Sequence, residues 1–143
     1  MKCHGWILSG LVSLGSAWGD PASFDIVVYG GTSGGVIAAV QAARDGRSVA
    51  LISPSPHLGG LTTSGLGWTD LGQSSILGGL SREFYHRVFL HYQKGTSWTL
   101  QKRADFGNSG QGTPAFNPEK EIASVFEPKV AEEILNGLIK EKP

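Results

Sequence analysis

Between residues 25 and 52 the pattern of apolar and polar positions changes period twice. Asp25, Ile26, Val27, Val28 and Tyr29 make a short β-rich run that reads as a strand. Gly30, Gly31, Thr32, Ser33, Gly34 and Gly35 then form a turn where backbone amides lie bare. Residues 36–44 take helical spacing, with Ala38, Ala39, Ala42 and Ala43 forming a slim face and Gly46 ending the helix. Residues 48–52 are a second apolar run after a very short connection. Strand, glycine turn, helix and strand in that order predict a βαβ unit and an α/β fold.

Farther on, Leu80, Phe84 and Val88 recur every fourth residue with Tyr85, Phe89 and Tyr92 alongside, which predicts an amphipathic helix over 79–92. Arg82, Glu83, Arg87 and His91 are expected on its polar edge. Residues 94–118 keep neither period and hold Gly107, Gly110, Gly112, Pro114 and Pro118, so they read as a long surface loop. A short helix is expected over 119–126. Pro128 suits the first turn of another running to Leu138, with Val130, Ile134, Leu135 and Leu138 as its apolar stripe.

Composition narrows the function. With 143 residues, 40% hydrophobic and 17% charged, the chain fits one globular domain. Twelve basic residues balance twelve acidic ones without long runs of either sign, which argues against nucleic acid or an anionic membrane surface as the main partner. The 21 glycines gather at 30–35, 59–67 and 78–79, a distribution suited to close backbone approach by a ligand. At the N-terminus, Lys2, an uncharged run from Trp6 to Trp18 and the small-x-small group Ala17, Trp18 and Gly19 predict a signal peptide over 1–19 and export to the periplasm or beyond. That run is shorter than the roughly 20 residues a membrane span needs, so no stable anchor is expected after cleavage. Cys3 falls inside it, leaving the mature chain without a thiol.

The candidate chemistry is anion binding. First-turn N–H groups of the helix have no intrahelical partner and sit at the positive end of its dipole, which favours a diphosphate against residues 30–35. The GxGxxG fingerprint is met at Gly30 and Gly35, with Thr32 at its middle glycine. The Thr32 side chain is expected to crowd a pyrophosphate while its hydroxyl donates to it in compensation. Ser53, 18 residues past Gly35, stands where a dinucleotide site places an acid for the ribose hydroxyls. A serine can bond a ribose, but a charge-assisted bond is about twice as strong; Ser53 with Pro54 also reads as a simple strand-ending turn. His57 reads as a solvated turn residue in preference to a proton donor.

Gly31 to Gly35 also satisfy GxSxG, the form of a hydrolase nucleophile elbow, with Ser33 attacking and Asp45 or Asp70 with His86 or His91 completing a triad. An NAD-type module would use the same βαβ unit. No lysine follows Gly35 as a P-loop requires, and His57, His86 and His91 lack metal-ligand spacing.

Three ordered segments carry a resemblance: Ile26 to Ala39, then Leu58, Gly59, Gly60, Leu61, Thr62, Thr63, Ser64, Gly65, Leu66, Gly67, Trp68, Thr69 and Asp70, then Gly78 to Tyr85. Together they resemble the FAD-dependent oxidoreductase family, in its exported bacterial type, over nearly all of residues 24–142. The resemblance implies the N-terminal part of a Rossmann-like FAD-binding domain over 24–143, a flavin cofactor and an unidentified small-molecule substrate. It implies that Gly30 to Gly35 hold the pyrophosphate, that Ser53 faces the adenosine ribose, and that Gly59, Gly60, Leu61, Thr62 and Thr63 approach the flavin side. Catalytic residues stay unassigned. In the resembling family a further strand and a substrate domain follow, so the expectations are an incomplete sheet with bare apolar faces and a segment inactive alone, either part of a longer enzyme or a truncated remnant.

Overall fold

The computed structural model describes residues 23–107 and 114–141. The signal-peptide expectation and Cys3 lie outside the described residues. Three helices and four strands follow one another as β1 (Ile26–Tyr29), α1 (Ser33–Arg44), β2 (Val49–Ile52), α2 (Gly79–Gln93), β3 (Phe116–Asn117), β4 (Ile122–Ala123) and α3 (Pro128–Lys140). The class is α/β. β1 and β2 pair in parallel, from Ile26 opposite Val49 to Tyr29 opposite Ile52, with α1 as the crossover. The Asp25 carboxylate fixes the start of this register by accepting from Ser48 N–H and Ser48 Oγ, each at 2.8 Å. Those bonds, the backbone one first, hold its pKa below the usual carboxylate range.

α1 begins at Ser33, three residues before the expected start. Thr32 is its N-cap, with extended backbone and Oγ1 accepting from Gly35 N–H at 3.2 Å. A capped first turn tolerates glycines that would weaken a helix interior, so Gly34 and Gly35 belong to the helix as well as to the glycine turn.

The core lies under the helices. Val36 and Val40 of α1 pack with Leu80, Phe84, Val88, Phe89 and Tyr92 of α2 and with Val130, Ala131, Leu135 and Leu138 of α3. Leu51 joins this cluster from β2. Side chains alternate along a strand, so Val27, Tyr29 and Ile52 share the opposite face of the sheet. That face is open: Val27 is 58% and Tyr29 77% exposed.

Two local expectations are corrected. Residues 119–126 are not a helix. Asn117 Oδ1 accepts from Lys120 N–H at 3.0 Å, Glu121 takes a left-handed conformation (φ 50°), and β3 pairs antiparallel with β4 across that turn. Turn chemistry at Asn117 and Pro118 prevails over weak helical propensity. Nor is 94–118 a bare surface loop, since Trp98, Phe106 and Phe116 gather on Tyr92 with ring centroids 5.3, 5.7 and 6.1 Å away. Trp98 Nε1–H donates to Tyr92 O at 3.1 Å and Ser97 Oγ–H to His91 O at 2.7 Å, tying the segment to the end of α2.

The polar edge of α2 lies where it is expected, and two of its residues are paired. Glu83 and Arg87 form an ion-pair network with Arg44 at the end of α1 and Glu141 just past α3. Arg44 Nη1 stands 2.7 Å from Glu83, and this hydrogen bond leads in holding the Glu83 carboxyl down at about 2, with Arg87 assisting. On the other side of the core, Tyr92 OH accepts from Glu127 N–H at 2.9 Å and donates to Glu127 Oε2 at 3.3 Å, and burial pushes its phenol up to about 12.

Candidate cofactor site

Both glycine-rich segments converge at the carboxyl ends of β1 and β2. Gly30 N–H donates to Ile52 O at 2.8 Å, carrying the pairing one residue beyond the strands. Gly31 O then accepts from Gly59 N–H at 2.7 Å, and Thr32 and Gly59 form an isolated parallel bridge. Ser33 Oγ–H donates to Gly59 O at 2.7 Å and lies 2.7 Å from Thr62 Oγ1, the two hydroxyls sharing the second bond. Thr63 Oγ1–H closes the turn on Leu58 O at 2.7 Å. The start of α1 and the 60–63 turn of 3₁₀ helix are thus one bonded unit.

Three glycines at this junction are dictated by space. A Cβ on Gly35 would overlap Gly30 O, so the helix approaches the strand end as closely as the third fingerprint glycine requires. One on Gly31 would sit 2.5 Å from Ser53 Oγ, which places the Ser53 side chain directly against the glycine turn. Gly59 has φ 109° and packs on Thr63 and on Leu135 of α3.

Thr32 caps the helix. A Cβ on Gly60 would lie 3.5 Å from the Thr32 methyl, so that methyl turns toward the 59–63 turn, while the hydroxyl oxygen accepts from the Gly35 amide and keeps its own O–H to donate. Around Gly30 and Gly34 the space is open: nothing lies within 4 Å of a Cβ on Gly30, and only Thr32 Oγ1, at 3.9 Å, approaches one on Gly34. Gly34 N–H meets no acceptor among the described residues. An open cradle with a helix-end amide is what a phosphate oxygen needs.

Beside the cradle a cavity of about 220 Å³ is lined by Ser33, Gly34, Ile37, Thr62, Phe84 and Tyr85, among others, so α2 brings aromatic rings to the start of α1. Of the residues expected at the site, Leu61 is 72% exposed. His57 is a surface residue, as expected for a turn, but its ring is engaged by Glu132 of α3. The geometry gives the hydrolase alternative no support: the partners of Ser33 Oγ are Gly59 O and Thr62 Oγ1, and no histidine is bonded to it among the described residues. α3 lies where the sequence predicts a helix, but its part in the site was missed, because Leu135 read only as part of an apolar stripe.

The sequence model of the FAD dependent oxidoreductase family matches residues 25–143. The chain belongs to that family. Its cofactor is therefore FAD, and the match spans the glycine cradle, Ser53 and the 59–63 turn. No solved structure matches the fold. The residues present fit the group: the cradle is open, its surface is backbone amide, and the residues named for it bear no charge that would repel a diphosphate.

Proposed function

We propose that this chain is the Rossmann-like FAD-binding segment of an exported flavin-dependent oxidoreductase. The single observation that carries the reading is the junction of the 30–35 and 59–63 turns at the ends of two parallel strands, the crevice where open α/β sheets bind ligands. Gly30 to Gly35 hold the pyrophosphate through backbone amides, with Gly34 N–H as one donor. Ser53, lying against Gly31, meets the adenosine ribose with a neutral hydroxyl. Gly59 to Thr63 face the flavin half. FAD, when bound, supplies the electron chemistry, and these residues bind it, orient it and exclude water. An unidentified small molecule is the substrate. The bare sheet face at Val27, Tyr29 and Ile52 supports a place within a larger flavin-binding unit.

An NAD-type module is the second reading, since phosphate cradling is the same in both. The 59–63 turn favours FAD, because a second close backbone approach suits a cofactor lying extended across the domain. The test is flavin absorbance after purification of residues 20–143, alone and extended by the reading frame that follows. Flavin bound by either form upholds the reading. Its absence from both, with the longer form folded, sinks it.

A further inference from the structure

Residues 53–58 run from the end of β2 to the 59–63 turn, so the course of this loop sets the positions of both Ser53 and Gly59. Its own bonds are few: Ser55 N–H donates to Ser53 Oγ at 3.3 Å and His57 N–H to Ser55 Oγ at 3.1 Å. Pro54 and Pro56 contribute no N–H at all. The far end of the loop is fixed from α3. There the Glu132 carboxylate accepts from Leu58 N–H at 3.2 Å and from the His57 ring, whose Nδ1 lies 3.1 and 3.2 Å from its two oxygens.

Three residues along the same helix, Leu135 is 1% exposed and touches Gly59, where a Cβ would stand 2.8 Å from Leu135 Cδ1. Residues three apart share a helix face, so α3 grips the loop with one carboxylate and one apolar side chain. The two side chains in this contact differ in shelter. The Glu132 side chain is 23% exposed and that of His57 76%, so the bond to the Leu58 amide is the better shielded from water.

We propose that Glu132 is a positioning residue: it sets the course of the loop that presents Ser53 and Gly59 to the nucleotide, acting through the Leu58 amide without touching the cofactor. Its cofactor arm rests on the FAD reading above. Glu132 lies roughly a hundred residues from the glycine cradle and has no place in a dinucleotide fingerprint, so only the packing of α3 assigns the role.

The test uses the full chain with Glu132→Ala and Glu132→Gln, following amide hydrogen exchange without ligand, FAD affinity by fluorescence titration, and the melting temperature. Glutamine keeps an acceptor oxygen for Leu58 N–H. Expected are exchange at Leu58 and Gly59 about tenfold faster in Glu132→Ala, FAD binding weakened about tenfold, and most of both restored by Glu132→Gln. Unchanged exchange at Leu58 in Glu132→Ala overturns the proposal. So does weaker binding that glutamine fails to restore and that follows only a lower melting temperature. If the unmodified chain takes up no FAD while Leu58 exchange responds to Glu132→Ala, the positioning role stands and the flavin reading is decided by the extended form.

Discussion

Along β1 and β2 the apolar side chains stay half-buried or open, whereas the core-facing ones of α2 and α3 close almost completely: Tyr29 is 77% exposed and Leu135 1%. The two regions are held by different means. The sheet end is set by backbone, through glycines without room for a Cβ and bonds that link Gly30, Gly31 and Gly59 to their neighbours. The helical region is set by side-chain volume and by aromatic rings around Tyr92. The proposed ligand site therefore sits where side chains contribute least, and stability where they contribute most.

The largest test of that division is Leu135→Ala, which removes a side chain buried against Gly59. A cost of about 2–5 kcal/mol is expected by denaturant titration, as for other buried leucines. Less than about 1 kcal/mol would show that the core tolerates the cavity and that the contrast is overdrawn. Gly35→Ala attacks the other region. Its Cβ meets backbone at Gly30 O, so FAD uptake should be lost while stability falls by about 1–3 kcal/mol, the scale of overpacking. Retained flavin would show that the strand end can shift.

Tyr92→Phe keeps the ring and deletes the hydroxyl that accepts from Glu127 N–H. Leaving that amide without a partner should cost about 1–3 kcal/mol in chemical unfolding, with FAD affinity unchanged. Acid supplies a smaller test. The Glu83 carboxyl is lowered from 4.5 to about 2 on folding, so its stabilisation is complete above pH 4.5 and is lost as pH falls from there toward 2. Glu83→Gln should flatten the melting temperature across that window. Smallest of all, Tyr29→Thr on the bare sheet face should change stability by no more than about 0.5 kcal/mol.

Much of this architecture is legible from residue periods. The apolar runs of β1 and β2, the fourfold spacing of Leu80, Phe84 and Val88, and Pro128 at the first turn of α3 all lie where the spacing predicts. The start of α1 was harder to read, because Gly34 and Gly35 look like turn residues until the Thr32 cap is known. The hairpin escaped notice because each strand is only two residues long, too short to show a period. Trp98, Phe106 and Phe116 are spaced too widely for any periodic pattern, and they meet only once the chain has folded back on Tyr92. For the cofactor site, the glycine cradle is legible as a motif. Its bonding to Gly59, and the part α3 plays through Leu135 and Glu132, arise from contacts between distant residues that no local pattern encodes.

One consequence follows from Thr32. Its hydroxyl oxygen occupies the Gly35 amide, a donor that the end of α1 would otherwise offer to an incoming anion. The cap and the ligand are thus rivals for one proton donor, and the helix is partly satisfied before anything binds. Thr32→Gly would remove the rival at a cost to the helix of about a few tenths of a kcal/mol. In the proposed site the residue that breaks the fingerprint is a tethered competitor, exchanging some affinity for a helix end that stays ordered when empty.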